Sequence, residues 1–573
     1  MKRWLASGVL ALTLVALVPG RAGAGTRPSP SNDVVPPLRT PLVGGYLLQG
    51  TPNFANIQMD LVTHFFWAFS TISNGECTPA SPAGDAAVLA ERQARPDLKV
   101  IRSIGGWGAA NYSDVASTPA KRQAFVASCI DDFVANGVAD GFDIDWEFPV
   151  SGGLPDIGYS PADRHNLDLL VAEFRRQLDA YADAHGRSHR DFLLTAALPA
   201  GRWQDSGDGI TGAPFDANTS FDLATLGKLL DNINLMTYDM GTGYSPVSMF
   251  NQPLYRHSDD PTGDPYNSAD DAVRYYLAHG VPRAKISLGV EFTLSRGFGT
   301  TGLFQPWTST GCGQTTARNA LDPSNTSILI NWDPQVQSQY LWNPSAQRMC
   351  SYENAYSLEL RSEYAKQHGL SGIFTWELSG DASNSQLRAV ARPWEPAKVV
   401  AAPAPSVRGA TFYPHAGQTF SGTVATVSGS SAGSLTAIIN WGDQTRSPGI
   451  VTPTAVGGYA VSGDHTYSAA GAYRATATII DPDPVNSRMV NAYAFVDSSP
   501  YSYLRGLVDA YCTSRGIAAG LDATLLTASR VPDARTRARL LDAFGAQVRI
   551  AQLVRTVTVA QADELAHLAD TLR

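Results

Sequence analysis

Between residues 40 and 392, short apolar runs rich in β-branched side chains alternate with longer stretches of helical periodicity. In the stretch from Asn166 to His185, the residues that recur at helical intervals are Leu167, Leu169, Leu170, Phe174 and Leu178. The apolar runs predict eight strands, which begin near Leu42, Val62, Val100, Phe142, Phe192, Ile233, Ile286 and Gly372. Eight strands that each precede a helix are typical of a (β/α)8 TIM barrel, an α/β fold. A doubly wound open sheet is the alternative, but the glycine-rich dinucleotide fingerprint common in such sheets is absent.

The pattern changes after residue 392, and it predicts a multidomain chain. Four prolines mark a stiff linker over 393–408. Residues 409–498 are rich in Gly, Ser and Thr and alternate polar with apolar positions, which predicts a small all-β sandwich. Residues 500–573 predict a short helical module. Within it, Thr558 and Gln561 have the spacing of a capping box, and the apolar stripe that follows is Leu565, Leu568 and Leu572.

The composition is that of a globular protein, with 44% hydrophobic and 17% charged residues in a chain of 573. The net charge of −9 disfavours a polyanion-binding protein, so no nucleic-acid partner is expected.

The N-terminal residues predict a signal peptide over 1–24. The pattern consists of the charged Lys2 and Arg3, an apolar stretch up to Val18 and the small residues Ala22-Gly23-Ala24. An N-terminal membrane anchor is the alternative, disfavoured because the apolar run is shorter than the roughly 20 residues of a spanning helix. We therefore expect a secreted protein with no membrane partner.

The five cysteines are too few to form a disulfide scaffold in so long a chain. They include no CxxC pair, the spacing that would indicate a metal or redox site. Proximity along the chain predicts the bridges Cys77–Cys129 and Cys312–Cys350, with Cys512 left free. We expect neither a metal ion nor another cofactor.

The most informative segment is the acidic run from Asp140 to Pro149. Because alternate side chains of a strand share a face, Asp143, Asp145 and Glu147 should all point one way. The opposite face carries Phe142, Ile144, Trp146 and Phe148. Carboxyl groups this close disfavour simultaneous ionisation, so at least one should hold a proton near neutral pH. This arrangement suits a general acid, and Glu147 lies at the C-terminal end of the strand, where barrel active sites lie.

Two other interpretations of the acidic run remain open. Clustered carboxylates also bind Ca²⁺ or Mg²⁺, although metal loops usually draw their ligands from flexible turns rather than from a strand with bulky apolar residues. A purely structural cluster is disfavoured, because three aligned buried acids cost more free energy than their contacts return. Asp140 is out of phase with the other acids, and we expect it to brace the start of the strand.

The acidic run resembles the DxxDxDxE signature of glycoside hydrolase family 18, the chitinase family, whose fold is a (β/α)8 barrel. Ser103-Ile104-Gly105-Gly106 resembles the SxGG strand of that family, and Met236-Thr237-Tyr238-Asp239 resembles its MxYD strand. Pro253-Leu254-Tyr255 and the run from Gly372 to Asp381 are similar to later segments. The resemblance implies a catalytic barrel over residues 40–392, with a small α+β insertion at about 300–351 between its last two strands.

By position, the resemblance implies that Glu147 protonates the glycosidic oxygen. The nucleophile in this family is the 2-acetamido carbonyl of the substrate, which forms an oxazolinium intermediate with retention of configuration. Asp145 would orient and stabilise the acetamido group, and Asp143 would share its proton.

The resemblance also implies substrate-binding residues on other strands. Tyr238 and Asp239 would hold the acetamido group and the distorted sugar. Trp376 would form the floor under that ring, where a flat apolar face stacks against sugar C–H bonds. We further assign three residues to substrate binding: Tyr46, Trp107 and Met236.

The chain departs from the family pattern after the seventh strand. The family commonly reads PFYGRGF there, whereas the segment from Glu291 to Phe298 is one residue longer and lacks the proline and tyrosine. In the family, the insertion that follows walls one side of a deep groove. The candidates for groove lining are Trp107, Trp203, Trp307 and Trp332. We expect the glycines of the SxGG strand to permit close packing rather than to contact a ligand.

The β-rich region resembles PKD-type sandwich domains, which occur as accessory modules in secreted polysaccharide-degrading enzymes. The resemblance rests on Trp441-Gly442-Asp443, on Asp464-His465-Thr466-Tyr467 and on Gly471-Ala472-Tyr473. It implies a spacer or a weak polymer contact. A dedicated binding face is the alternative, disfavoured because the sequence shows no array of aromatic residues suited to exposure.

The sequence therefore predicts a secreted, monomeric chitinase that cleaves β-1,4 bonds between N-acetylglucosamine units in chitin or its oligosaccharides. Two alternatives keep the same barrel. One is an endo-β-N-acetylglucosaminidase that releases N-glycans from glycoproteins. The other is a non-catalytic chitin-binding lectin, which is disfavoured because such relatives typically have the acid replaced, whereas Glu147 is present.

Overall fold

Eight parallel strands close into a barrel in the computed structural model of the protein. The structure describes residues 34–48, 50–200, 217–243, 245–261, 267–292, 296–399, 405–429, 435–455 and 457–573. The predicted signal peptide over 1–24 and the groove candidate Trp203 lie outside these residues.

The first strands are β1 (Leu42–Leu48), β2 (His64–Ser70), β3 (Ile72–Ser73), β4 (Glu76–Cys77), β5 (Lys99–Gly105), β6 (Gly141–Asp145), β7 (Leu193–Pro199) and β8 (Asn232–Met236). The helices among them are α1 (Pro82–Ala94), α2 (Tyr112–Ala116), α3 (Pro119–Cys129), α4 (Asp163–Ala184), α5 (Ala217–Ser220) and α6 (Leu223–Leu229).

The second part of the barrel contains the insertion. Its strands are β9 (Ile286–Glu291), β10 (Arg296–Thr300), β11 (Trp307–Thr310), β12 (Leu329–Asp333), β13 (Ser338–Asn343), β14 (Arg348–Tyr352) and β15 (Gly372–Trp376). The helices are α7 (Ala269–Ala278), α8 (Ala317–Ala320), α9 (Ala355–Gln367), α10 (Ser385–Ala391) and α11 (Pro396–Val399). Around the barrel the order is β1-β2-β5-β6-β7-β8-β9-β15, so successive barrel strands are spatial neighbours. The prediction of an eight-stranded barrel is confirmed, and each strand begins within two residues of its predicted start.

The barrel strands are almost continuously buried, as expected for parallel strands covered by helices on the outside. Helix α4 shows how the sequence pattern produces this layer. Leu167, Leu170, Phe174 and Leu178 are buried against the strands, and Leu169 is half-buried at the edge of the stripe. Side-chain caps fix several helix starts; for example, the Ser81 hydroxyl accepts a hydrogen bond from the Gly84 amide at 3.1 Å.

The insertion between β9 and β15 forms a five-stranded antiparallel sheet in the order β11-β10-β14-β13-β12. The disulfide Cys312–Cys350 lies within it, and Cys77–Cys129 joins β4 to α3. Cys512 is free. Both predicted disulfides are therefore confirmed.

A second, eight-stranded sheet follows the barrel. Its strands are β16 (Ser406–Gly409), β17 (Thr411–Phe412), β18 (Thr419–Ser428), β19 (Thr436–Asn440), β20 (Arg446–Pro453), β21 (Tyr459–Thr466), β22 (Gly471–Ile480) and β23 (Arg488–Val496). The order is β16-β18-β21-β20-β19-β22-β23-β17, and every pair is antiparallel except β17 with β23. Residues from both ends of this order share one apolar cluster, so the sheet folds over onto itself. Trp441 is buried in that cluster and stacks on His465 at 4.7 Å between ring centroids.

Four helices occupy the C-terminal region: α12 (Pro500–Tyr511), α13 (Arg515–Arg530), α14 (Ala534–Leu553) and α15 (Val559–Asp570). The predicted capping box is confirmed at the start of α15, where Thr558 and Gln561 bond reciprocally. Leu565 and Leu568 are buried in the core of these helices, which also contains Tyr493 of β23. Within the described part of the chain, no helix combines the length and apolarity needed to span a bilayer.

Candidate active site

Asp143 lies inside the barrel, where four donors from four other strands surround its carboxylate. The hydroxyls of Tyr46 and Ser103 donate to Oδ2 at 2.9 and 2.8 Å. The Thr195 hydroxyl and the Asn234 amide donate to Oδ1 at 2.6 and 3.2 Å. Burial raises the pKa of Asp143, and these hydrogen bonds lower it. The side chain is thus held rigidly at the base of the site.

Asp145 follows on the same face of β6 and is also buried. Burial raises its pKa well above the usual range, and the nearby charges of Glu147 and Asp143 raise it further. Among the described residues, Asp145 Oδ1 is buried without a hydrogen-bond partner. A buried carboxyl oxygen in this state is available to a polar group of a ligand.

Glu147 lies two residues beyond the end of β6, since the strand stops at Asp145. The expectation that the strand extends to Glu147 is therefore wrong by two residues, although the alternation of faces persists to this point. Burial raises the pKa of Glu147 to about 8, and the charge of Asp239 adds to the effect. A carboxyl group with this pKa is mostly protonated near neutral pH, as a general acid requires.

The opposite face of the acidic run packs into the layer between barrel and helices, as predicted. The residues buried there are Phe142, Ile144, Trp146 and Phe148. Trp146 stacks on Tyr112 with ring centroids 5.0 Å apart. Asp140 braces the start of the strand, because Arg92 donates to both its carboxylate oxygens at 2.6 and 2.8 Å and the Val100 amide donates at 2.9 Å. That prediction is confirmed.

The two glycines of the SxGG strand allow β5 and its following turn to lie close to the acidic strand. A Cβ atom on Gly105 would lie 1.9 Å from the main-chain oxygen of Asp145, and one on Gly106 would lie 2.6 Å from the ring of Phe69. Both glycines also have positive φ, at 114° and 90°. The expectation that they serve close packing is confirmed.

The MxYD strand places two polar side chains beside the acids. Tyr238 is nearly buried, and burial followed by the charges of Asp145 and Glu147 raises its pKa well above the usual range. Asp239 accepts a hydrogen bond from Arg296 Nη2 at 2.5 Å. Met236 is half-buried beside the aromatic cluster that contains Tyr46.

Trp376, the last residue of β15, lies at the same end of the barrel. Its ring stacks on Phe69 with centroids 5.6 Å apart and lies 6.0 Å from the ring of Tyr46. Trp376 is half-buried, so part of its surface is open to a ligand. The structure thus brings the three predicted aromatic residues together. The rings of Tyr46 and Tyr238 both contact the ring of Phe374, and Tyr46 also contacts Trp376.

The tryptophans considered for groove lining have different environments. Trp107 is 47% exposed next to Phe148, at a centroid distance of 6.3 Å. Trp307 is half-buried, and its indole N–H donates to the main-chain oxygen of Ser245 at 2.7 Å. Trp332 is buried in an apolar cluster shared with the second sheet and stacks on Tyr356, so the prediction that it lines a groove is wrong.

Several polar residues of the site were missed by the sequence analysis. Thr195 is the single polar residue of β7, and Asn234 is one of two asparagines in β8, so polar positions within otherwise apolar strands could have identified them. Glu291 and Arg296 lie in one segment and Asn251 lies in another, and only the tertiary structure brings them next to Asp239. Among the described residues, no group of three or more His, Cys, Asp and Glu side chains has an arrangement that could hold a metal ion.

Comparison with known proteins identifies relatives of the barrel. Residues 44–381 match the family described as Glycosyl hydrolases family 18. Chitinase A1 of Niallia circulans is 36% identical over 313 residues, which are 51% of this chain and 42% of that protein. Chitinase 1 of Aphanocladium album is 31% identical over 303 residues, which are 52% of this chain and 65% of that protein. The chain thus spans less than two thirds of the length of these curated relatives.

A solved structure agrees with these matches. The structure described as a glycoside hydrolase family 18 N-acetylglucosaminidase from Paenibacillus barengoltzii is 26% identical. It superposes with a TM-score of 0.53 and covers 62% of this chain and 99% of its own.

Proposed function

This chain belongs to glycosyl hydrolase family 18, and from that membership we propose that it is a chitinase acting on β-1,4-linked N-acetylglucosamine. We further propose a retaining mechanism in which the 2-acetamido group of the substrate is the nucleophile. The observation that carries the proposal is the row of acids on one face of the acidic run, in which the half-buried Glu147, with a pKa of about 8, follows the buried Asp145. The names of the relatives support chitin as the substrate.

In the proposed reaction, Glu147 donates its proton to the glycosidic oxygen as the bond to C1 breaks. The acetamido carbonyl oxygen attacks C1 from the opposite side, and Asp145 accepts a hydrogen bond from the acetamido N–H with its unpartnered Oδ1. Glu147 then takes a proton from the water that opens the oxazolinium ring. Two inversions at C1 give net retention of configuration.

A carboxylate of the enzyme would be the nucleophile in an ordinary retaining glycosidase. Asp239 is close enough to affect the pKa of Glu147, but Arg296 binds its carboxylate in an ion pair. Asp143 is enclosed by four donors within the barrel. These contacts favour the acetamido group of the substrate over either side chain as the nucleophile.

The aromatic residues at the same end of the barrel support a sugar-binding role. A half-buried tryptophan such as Trp376 offers a flat apolar surface to the C–H groups of a pyranose ring. We propose that the distorted sugar lies on Trp376 with Tyr238 beside its acetamido group. Tyr46 acts on Asp143 through its hydroxyl, and the exposed Trp107 extends the binding surface.

Outside the barrel, we propose a PKD-like spacer role for the second sheet. Two residues of the motifs that suggested this identity, Trp441 and Tyr467, are buried in its core. His465 stacks on Trp441, and its Nε2 atom lies 2.7 Å from Asp443 Oδ2. Export through an N-terminal signal peptide and a monomeric state complete the proposal. The proposal of export rests on the sequence pattern alone.

A defined N-acetylglucosamine hexamer tests the proposed activity. Proton NMR during the first turnovers should show cleavage with the β-anomer formed first, because retention preserves the configuration of the substrate. A cellohexaose control should remain intact, because it has no acetamido group. Initial release of the α-anomer, or cleavage of cellohexaose at a comparable rate, would contradict the mechanism.

Two alternatives predict other outcomes. An endo-β-N-acetylglucosaminidase would release glycans from a high-mannose glycoprotein faster than it cleaves the hexamer. A lectin would bind the hexamer without cleaving it. Because the similar structure from Paenibacillus barengoltzii is an N-acetylglucosaminidase, the release of monosaccharide should be followed in the same time course.

A further inference from the structure

Strand β9 ends in a buried carboxylic acid, Glu291, that takes no part in the proposed reaction. Its side chain is 1% exposed. The side-chain amide of Gln252 pairs with the main chain of Glu291, donating to its carbonyl oxygen at 2.9 Å and accepting from its N–H at 3.0 Å. Glu291 is therefore held in place by the hydrogen bonds to its backbone and by the burial of its side chain.

Both carboxylate oxygens of Glu291 have partners. Asn251 Nδ2 donates to Oε2 at 2.5 Å, and Arg296 Nη2 donates to Oε1 at 3.2 Å. The same Arg296 Nη2 donates to Asp239 Oδ1 at 2.5 Å. One guanidinium nitrogen thus bridges the buried Glu291 and the more exposed Asp239, whose charge acts on Glu147.

We propose that Glu291 is a positioning residue that anchors Arg296 against Asp239 and thereby controls both sugar binding at Asp239 and the alkaline limit of activity. The proposal rests on the function proposed above, since it concerns the same site. The Glu291 side chain is 1% exposed and each of its carboxylate oxygens already has a partner, so it acts on the sugar through Arg296. Its place in the chain is where the resembled family commonly has a proline.

Of the three side chains in this bridge, Glu291 is the one held in place. Glu291 is buried, whereas the side chains of Arg296 and Asp239 are 33% and 42% exposed. If Glu291 is removed, Arg296 can turn toward solvent, because a guanidinium is readily hydrated at a partly open surface. Asp239 then loses both its orientation and the neutralising charge beside it. The unscreened charge of Asp239 should make Glu147 hold its proton more tightly.

The protonation of Glu291 suggests a conservative replacement. Burial and the charge of Asp239 raise the pKa of Glu291 to about 8, so the acid is largely protonated near neutral pH. A glutamine resembles that form, because its Oε1 can still accept from Arg296. Asn251 Oδ1 is buried without a partner among the described residues, and it could accept from the new amide after a flip.

The test compares Glu291→Ala with Glu291→Gln in the full chain, using the hexamer as substrate. For Glu291→Ala we expect kcat/KM at the optimum to fall about tenfold or more, with a raised KM, because Asp239 loses its orientation. The alkaline limb of the pH profile should move upward by roughly half a pH unit or more. Glu291→Gln should recover most of the KM and leave the alkaline limb close to its wild-type position.

The matched control is Glu359→Gln, which alters another buried glutamate with arginine partners. Glu359 lies on α9 and pairs with Arg392 and Arg488 at 3.0 and 2.9 Å. This control should lower the melting temperature while leaving KM and the pH profile unchanged.

A Glu291→Ala variant that matches this control, with lower stability but wild-type KM and alkaline limb, would overturn the proposal. So would a Glu291→Gln variant that is as impaired as Glu291→Ala. If Glu291→Ala does not fold, Arg296→Gln replaces it in the test. The proposal then requires that Arg296→Gln raises KM and moves the alkaline limb upward.

Absence of hexamer cleavage by the wild type would instead refute the proposed function. In that case, Kd values for the hexamer in wild type and Glu291→Ala still report the role of Glu291 in sugar binding.

Discussion

At the scale of single residues, the acids of the site make the stability of the folded state depend on pH. The pKa of Glu147 rises from an ordinary 4.5 to about 8 on folding. The folded state therefore binds a proton that the unfolded state has lost between these values, and stability decreases as pH rises through this range. Below about pH 4.5 both states are protonated, so the destabilising contribution of Glu147 disappears.

Replacement of Glu147 by glutamine should remove this pH-dependent cost. We expect E147Q and the wild type to differ little in melting temperature at pH 4.5. E147Q should become progressively more stable than the wild type up to about pH 8, because glutamine carries no charge to desolvate. Thermal denaturation from pH 4.5 to 9 measures the difference. A difference that is constant with pH would contradict the assigned pKa shift.

The same variant separates binding from catalysis. E147Q should bind the hexamer with a Kd close to that of the wild type but lose at least about 10²-fold in kcat, because a general acid contributes that much. In the wild type, kcat/KM should fall above about pH 8 as Glu147 loses its proton. Calorimetry for binding and initial rates for turnover test these statements. Near-normal turnover by E147Q would refute its role as the acid.

At the scale of elements, the register of the barrel strands assembles the site. Parallel pairing places Ser103 of β5 and Thr195 of β7 on either side of Asp143 in β6. The period of two in the acidic run correctly predicted which side chains face inward. It could not show that Thr195 is a donor, because that contact depends on the register between strands rather than on any local pattern.

Gly105 is the position where this close pairing should be most sensitive to substitution. Gly105→Ala would place a methyl group against the Asp145 carbonyl, so it should lower the melting temperature and reduce kcat/KM by about tenfold or more. Gly186→Ala is the matched control, because Gly186 also has positive φ but no atom within 4 Å of its Cβ position. The control should show only the conformational cost of about 1 kcal/mol and normal activity. Equal effects of the two substitutions would argue against close packing as the reason for Gly105.

At the scale of the whole molecule, the second sheet is bound tightly to the insertion. Arg446 of β20 donates to the main-chain oxygens of Ala320, Ile328 and Asp322 at 2.8, 2.6 and 2.8 Å. Residues of the insertion also share an apolar cluster with Met489 of β23. Residues 35–573 accordingly form one compact unit.

Arg446→Ala should weaken this attachment. The substitution leaves carbonyl groups without their donor, at a cost of roughly 1–3 kcal/mol for each buried group left unpaired. We expect a melting temperature several degrees lower and faster proteolysis within the insertion. Arg408→Ala, at an exposed position of β16, is the control and should behave like the wild type. If both variants melt and digest alike, the second sheet does not brace the insertion.

The amino-acid sequence by itself determined the elements that depend on local periodicity. These include the eight barrel strands, the buried stripe of α4, the capping box at Thr558 and the alternating acids that end at Glu147. Such features follow from side-chain spacing along one segment, which the sequence displays directly. The tertiary structure alone decided that Trp332 is buried between two sheets and that Arg296 bridges Glu291 to Asp239. These contacts join segments far apart in the chain, so they depend on how the elements pack rather than on any local pattern.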